Sequence, residues 1–132
     1  MKYMIMLYGS QQDYDALAGR DTGKPAMTPE QVAALHAHMG AVHEKLEASG
    51  ELVDAQGLAA PVHARRLRLT SGTPVVTDGP YAETEEVLAG ITIVECDTFD
   101  RATEIAAQFV NPEAEGEYVD IRPVIGSIEE LD

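Results

Sequence analysis

The chain has one cysteine and only nine basic residues against 23 acidic ones, and each shortage narrows what the protein can be. A lone cysteine, Cys96, makes no intramolecular disulfide, so the fold has to stand on a packed core. A formal net charge of −14 argues against nucleic acid or an anionic membrane as a partner, because both demand a basic patch. Long apolar runs are missing as well. The longest near the start, residues 3–8, suits a strand and falls far below the roughly 20 residues that cross a bilayer. The opening residues lack the basic start and cleavage site of a secretion signal, so a cytoplasmic location is expected.

At 132 residues and 45% hydrophobic, the chain has the size and apolar content of one folded unit, and a single domain over 1–132 is expected. The acidic charge is uneven. Residues 95–132 carry eleven carboxylates against Arg101 and Arg122, whereas Arg65, Arg66 and Arg68 cluster in the middle. A solvated acidic face explains the first feature.

Residues 3–8 are apolar at both parities, with Tyr3, Ile5 and Leu7 on one side and Met4, Met6 and Tyr8 on the other. That pattern predicts a central strand covered on both faces. Residues 9–27 are polar and long for a plain connection, and they predict a helical turn near 14–18 or a lid. Thr28-Pro29-Glu30-Gln31 reads as a helix start, with Thr28 as cap, Pro29 in the first turn and Gln31 reaching back; Gly50 stops the helix. Val32, Leu35, Met39, Val42 and Leu46 predict its buried stripe. A strand opens at Leu52-Val53. Residues 65–70 and 74–77 predict a hairpin turned by Ser71-Gly72, with Leu67 and Leu69 inward and Arg66, Arg68 and Thr70 outward. Residues 91–94 predict a strand, Phe99, Ala102, Ala106, Phe109 and Val110 a second helical stripe, and 118–124 the last strand.

This order matches an α+β, ferredoxin-like arrangement: an antiparallel sheet with two helices on one face. A first strand apolar on both sides then leaves one sheet face uncovered. The same face of a second copy is the simplest cover, and a two-fold homodimer is expected.

Between the hairpin and the strand at 91–94 stands Asp78-Gly79-Pro80-Tyr81-Ala82-Glu83-Thr84, whose composition signals a tight turn: Asp78 accepts backbone hydrogen bonds, Gly79 tolerates positive φ and Pro80 fixes its own. The segment resembles the signature of YCII-related proteins of the Asp-Gly-Pro-Phe type, with Tyr81 for phenylalanine, Glu85 for lysine, Ala89 for a glycine and Ile91 for an aromatic. The likeness extends to Leu7-Tyr8-Gly9, Glu44-Lys45-Leu46, Gln56-Gly57-Leu58 and Ile121-Arg122-Pro123-Val124. The resemblance implies a dimeric α+β barrel and an enzymatic role carried by a histidine and an aspartate, without a settled reaction. Its histidine position on the long helix falls here at Met39, beside His38, and His43 occupies another position that is polar in some relatives.

The residues leave several roles open. On a helical wheel His43 lies about 60° from the centre of the apolar stripe, and His36 and His38 about 80°. No two histidines stand four apart and Cys96 has no cysteine partner, so no metal site or other cofactor is expected. Each histidine is either a boundary residue or, for His43 above all, a general base lining a helix–sheet pocket. Asp54 and Asp78 are the candidate orienting carboxylates, Asp78 alternatively a brace for its turn. Arg122 either pairs with a carboxylate or holds an anionic substrate, and Tyr81 and Glu83 are the further candidates for touching a ligand. Cys96, between Glu95 and Asp97, is expected to be inert. Two functions follow: a cofactor-independent acid–base enzyme acting on a small organic molecule, or a non-catalytic dimeric protein that binds one.

Overall fold

The computed structural model describes residues 1–131. The elements are β1 (Lys2–Gly9), α1 (Gln11–Leu17), α2 (Pro29–Ser49), β2 (Leu52–Gly57), β3 (Arg65–Thr70), β4 (Thr73–Asp78), β5 (Val87–Glu95), α3 (Phe99–Ala107) and β6 (Val119–Pro123). β1, β2, β5 and β6 form an antiparallel sheet in the order β2-β5-β1-β6. That is the ferredoxin-like arrangement, with β3 and β4 inserted as a separate two-stranded ribbon.

Local chemistry sets the boundaries of α2. Thr28 and Gln31 form a reciprocal capping box, Pro29 fills the first turn, and Gly50 stops the helix in the left-handed conformation at φ 79°. The polar segment that follows β1 is partly helical. Buried Ser10 caps α1 and shares Asp13 in a second capping box, while Lys24, Arg20 and Thr22 fold the remaining loop back onto Asp13 and Asp15.

The core lies between one sheet face and the helices. Tyr3, Ile5 and Val94 project from the sheet onto Val42 and Leu46 of α2 and Ala102, Ile105, Ala106 and Phe109 of and beyond α3. The two alanines let α3 approach the sheet closely. Only the second half of the expected α2 stripe is buried. Val42 and Leu46 are covered, Met39 is half-buried, and Leu35 is exposed. Length explains the difference: the helix of 21 residues is about 31 Å long, while the six-residue β2 beside it spans about 20 Å. The helix outruns β2, the edge strand beside it.

The ribbon corrects a second expectation. Leu67 and Leu69 do not point inward; they are 66% and 69% exposed, because β3 and β4 pair only with each other and no element covers either face. Two hydrogen bonds anchor the ribbon's base, a backbone bond from the Gly79 amide to the Ala64 carbonyl and one from the Val62 amide to the Gln11 side chain at Oε1. Gly79 has φ +54°, as the tight turn requires, and a Cβ there would stand 3.5 Å from the Val62 carbonyl.

The second sheet face carries Met4 and Met6 of β1 opposite Ile93 and Ile91 of β5, all half-buried, with no element across them. Among the described residues no helix is long and apolar enough to cross a membrane.

One ion pair ties the helical layer together. Arg101 of α3 grips Glu51 through Nε and Nη2, both at 2.9 Å, and Ser49 adds a third bond. These bonds hold the Glu51 carboxyl down to about 2, against an ordinary 4.5. A depressed folded-state value gives stability that is fully present above pH 4.5 and is lost as pH falls toward 2. Urea unfolding at pH 6 and pH 3 checks this: Glu51→Gln should lower stability at pH 6 and narrow the difference between the two pH values.

Candidate functional site

His43 projects from the covered side of α2 toward Phe109, its ring centroid 5.9 Å from the phenyl ring in an edge-on arrangement. Nδ1 stands 2.8 Å from the Met39 carbonyl one turn back. A carbonyl only accepts, so Nδ1 carries the proton, and a neutral ring leaves Nε2 with a bare lone pair. That nitrogen is shut off from water and has no hydrogen-bond partner among the described residues. Leaving such an acceptor unpaired costs about 1–3 kcal/mol, so its presence asks for a reason.

The ring bounds an open depression of about 530 Å³ along the outer edge of β2, lined also by Glu47, Leu52, Val53, Asp54 and Ala55. A β-bulge between Leu52 and Asp54 shapes this edge: Leu52 pairs with Val94 and Asp54 already with Ile93, leaving Val53 as the extra residue. By register Asp54 shares the sheet face of Ile93, turned from α2, and its Oδ1 accepts from the Ala55 amide and from Gln56 Nε2. Asp54 therefore stands at the rim, and the Met39 carbonyl, not an aspartate, orients His43.

Glu47 joins the site beyond the residues expected from the sequence. It follows His43 by four positions, so the two side chains share one helix edge, and it borders the same depression. The i, i+4 spacing of a histidine and a glutamate beside an apolar stripe was the available signal.

The other candidates lie elsewhere. His38 donates from Nε2 to the Gln108 carbonyl at 2.7 Å and ties α2 to the end of α3. Asp78 stands at the exposed base of the ribbon, where Oδ1 meets Arg65 Nε at 2.9 Å. Tyr81 lies under the Arg66 guanidinium, 5.0 Å from its ring centroid, and the Glu83 carbonyl accepts from the Gln12 amide. Of the two roles open to Arg122, pairing with a carboxylate or holding an anionic substrate, the first is not seen: among the described residues it makes no ion pair. Its neighbour Asp120 is taken by Tyr8, whose hydroxyl donates at 2.7 Å; that bond holds the Tyr8 phenol above its ordinary value. Cys96 is buried, burial raises its thiol, and its Sγ donates to the Thr98 carbonyl. Among the described residues no three His, Cys, Asp or Glu side chains converge to hold a metal ion.

Two comparisons bear on this arrangement. An uncharacterized protein of Rhizobium meliloti (strain 1021) is 29% identical over 99 residues, covering 75% of this chain and 80% of that protein. Residues 1–126 match the YCII-related domain, which takes in the sheet, the three helices, the ribbon and the depression beside His43. The chain belongs to the YCII-related family.

Proposed function

We propose that the chain is a cofactor-independent acid–base enzyme that acts on a small organic molecule at the depression beside His43, with His43 as the proton acceptor. The bare Nε2 lone pair carries this reading. The Met39 carbonyl fixes the ring in the tautomer that a base needs, and Phe109 keeps water from occupying the acceptor in advance. Every polar side-chain group in the lining is an acceptor, since Glu47 and Asp54 add carboxylates and no lysine or arginine borders the depression. Such a wall selects a ligand with O–H or N–H donors, neutral or cationic, and its apolar part meets Leu52, Val53 and Ala55. Binding turns the imidazole about its bond to the Met39 carbonyl and brings Nε2 from beside Phe109 to the depression, where it takes the proton of the ligand's acidic C–H; Glu47, one turn along, holds the donor group of the ligand in this reading. The protein works as a homodimer in this reading, because the sheet face bearing Met4, Met6, Ile91 and Ile93 needs a cover.

The test uses the labelled chain and a panel of small hydroxyketones and amino ketones in deuterated water. Wild-type protein should exchange the acidic C–H of at least one compound for deuterium, and His43→Gln should slow that exchange by about 10²-fold or more. Ligands that shift the His43 ring signals without any exchange would leave the alternative, a non-catalytic binding protein. If no compound in the panel moves His43, the reading falls.

A further inference from the structure

Three of the nine basic side chains lie on β3, and the ribbon divides them between its faces. Arg65 turns to Asp78 on one face. Arg66 and Arg68 lie on the other, and neither pairs with a carboxylate among the described residues. Four of the nine basic side chains, Arg20, Lys24, Arg65 and Arg101, each hold an Asp or Glu; Arg66 and Arg68 are the two without such a pair that stand side by side on one strand face. The two free guanidiniums border a depression of about 260 Å³, whose other walls are Thr70, Val75, Thr77 and Pro80. The Tyr81 ring under Arg66 restrains that side chain before any ligand arrives.

We propose that this ribbon depression binds a small organic oxyanion, a phosphate monoester or a carboxylate with a short apolar part. Residues two apart on one strand face stand roughly 7 Å from each other, so the two forks can grip one phosphate or the two ends of a dicarboxylate. Cross-strand register puts Thr77 opposite Arg66 and Val75 opposite Arg68, so a hydroxyl and an apolar wall face the two cations. The volume lies just below the range of small-molecule pockets, roughly 300–1,000 Å³, and it suits a compact ligand. Charge favours a small anion over an acidic polypeptide. A polypeptide would bring many carboxylates against a molecule of net charge −14, whereas a small ligand feels mainly the two guanidiniums within a Debye length of about 8 Å. This site shares no residue with the depression beside His43 and stands independently of the reading given for it.

The probes are inorganic phosphate and citrate, titrated separately into the labelled full chain at constant ionic strength. Saturable shifts confined to the amides of Arg66, Arg68, Thr70 and Thr77 are expected with at least one of them, and which one identifies the oxyanion. Arg66→Gln and Arg68→Gln should each weaken binding about tenfold, the loss expected for one charge-assisted bond. Tyr81→Phe should keep the affinity and Tyr81→Leu lower it. Should Arg66→Gln disturb the ribbon itself, Arg68→Lys decides: it keeps the charge, loses the fork, and should fall between wild type and Arg68→Gln. Absence of saturation with both anions, equal shifts at Lys2 and Lys45, or binding that survives both glutamine variants would overturn the proposal.

Discussion

Ile5→Ala is expected to cost about 2–5 kcal/mol of folding stability, a large part of the roughly 5–15 kcal/mol that a domain possesses. Ile5 is fully buried in β1, with Thr92 of β5 on one side and Ile121 of β6 on the other. Strands on both flanks and helices above leave little room to collapse around the missing atoms, so the cavity persists. Urea unfolding should show a lower midpoint with an unchanged slope, which assigns the change to stability and not to compactness. Ile5→Val, which removes one methylene, should lose only about 0.5–1.5 kcal/mol. Met6→Ala provides the contrast from the next residue. Its side chain leaves by the uncovered face, so if the proposed dimer forms through that face, any loss should grow with protein concentration. An Ile5→Ala loss below about 1 kcal/mol would mean that the sheet face toward the helices is not the core.

The elements closed by local chemistry were legible in the sequence. Thr28, Pro29, Gln31 and Gly50 bound α2 through contacts among near neighbours, and Ser71-Gly72 turns the ribbon with φ of 50° and 79°, the second natural for glycine and the first uncommon for a residue with a side chain. What depends on distant contacts was harder to read. Alternation along β3 separates Leu67 and Leu69 from Arg66 and Arg68, but which face is covered depends on whether the ribbon meets another element, and it meets none on that side. Likewise the spacing of Val32 and Leu35 put them on the right helix face, yet Val32 is only half-buried and Leu35 exposed, because β2 is shorter than the helix beside it. The site shows the same division. The wheel ranked His43 nearest the core, where its ring indeed packs on Phe109, yet the orienting group is a carbonyl of its own helix. Asp54 follows the bulge at Val53, which no residue pattern on β2 announces.

A lysine in place of Ile93 is expected to weaken the proposed homodimer by at least about 100-fold, close to 2.7 kcal/mol, while leaving the folded protomer intact. Ile93 faces away from the helices, opposite Met4 on β1 and Asp54 on β2, so in an isolated protomer an ammonium there would stay in water. In a two-fold dimer packed through this face, each substitution enters the interface twice and both cations lose water, with only the Asp54 carboxylate across the strand pair, already bonded to the Ala55 amide and Gln56, to meet each of them. Wild-type protein should therefore sediment as a dimer at micromolar concentration and Ile93→Lys as a monomer, with similar circular dichroism. Salt should act in a definite direction. Each protomer carries −14, so added salt screens the mutual repulsion and tightens the wild-type dimer. A wild-type monomer at low and high salt alike would remove the dimer. A dimer that survives Ile93→Lys would move the interface elsewhere, and the exposed Leu67, Leu69 and Val76 on the ribbon would be the next surface to substitute.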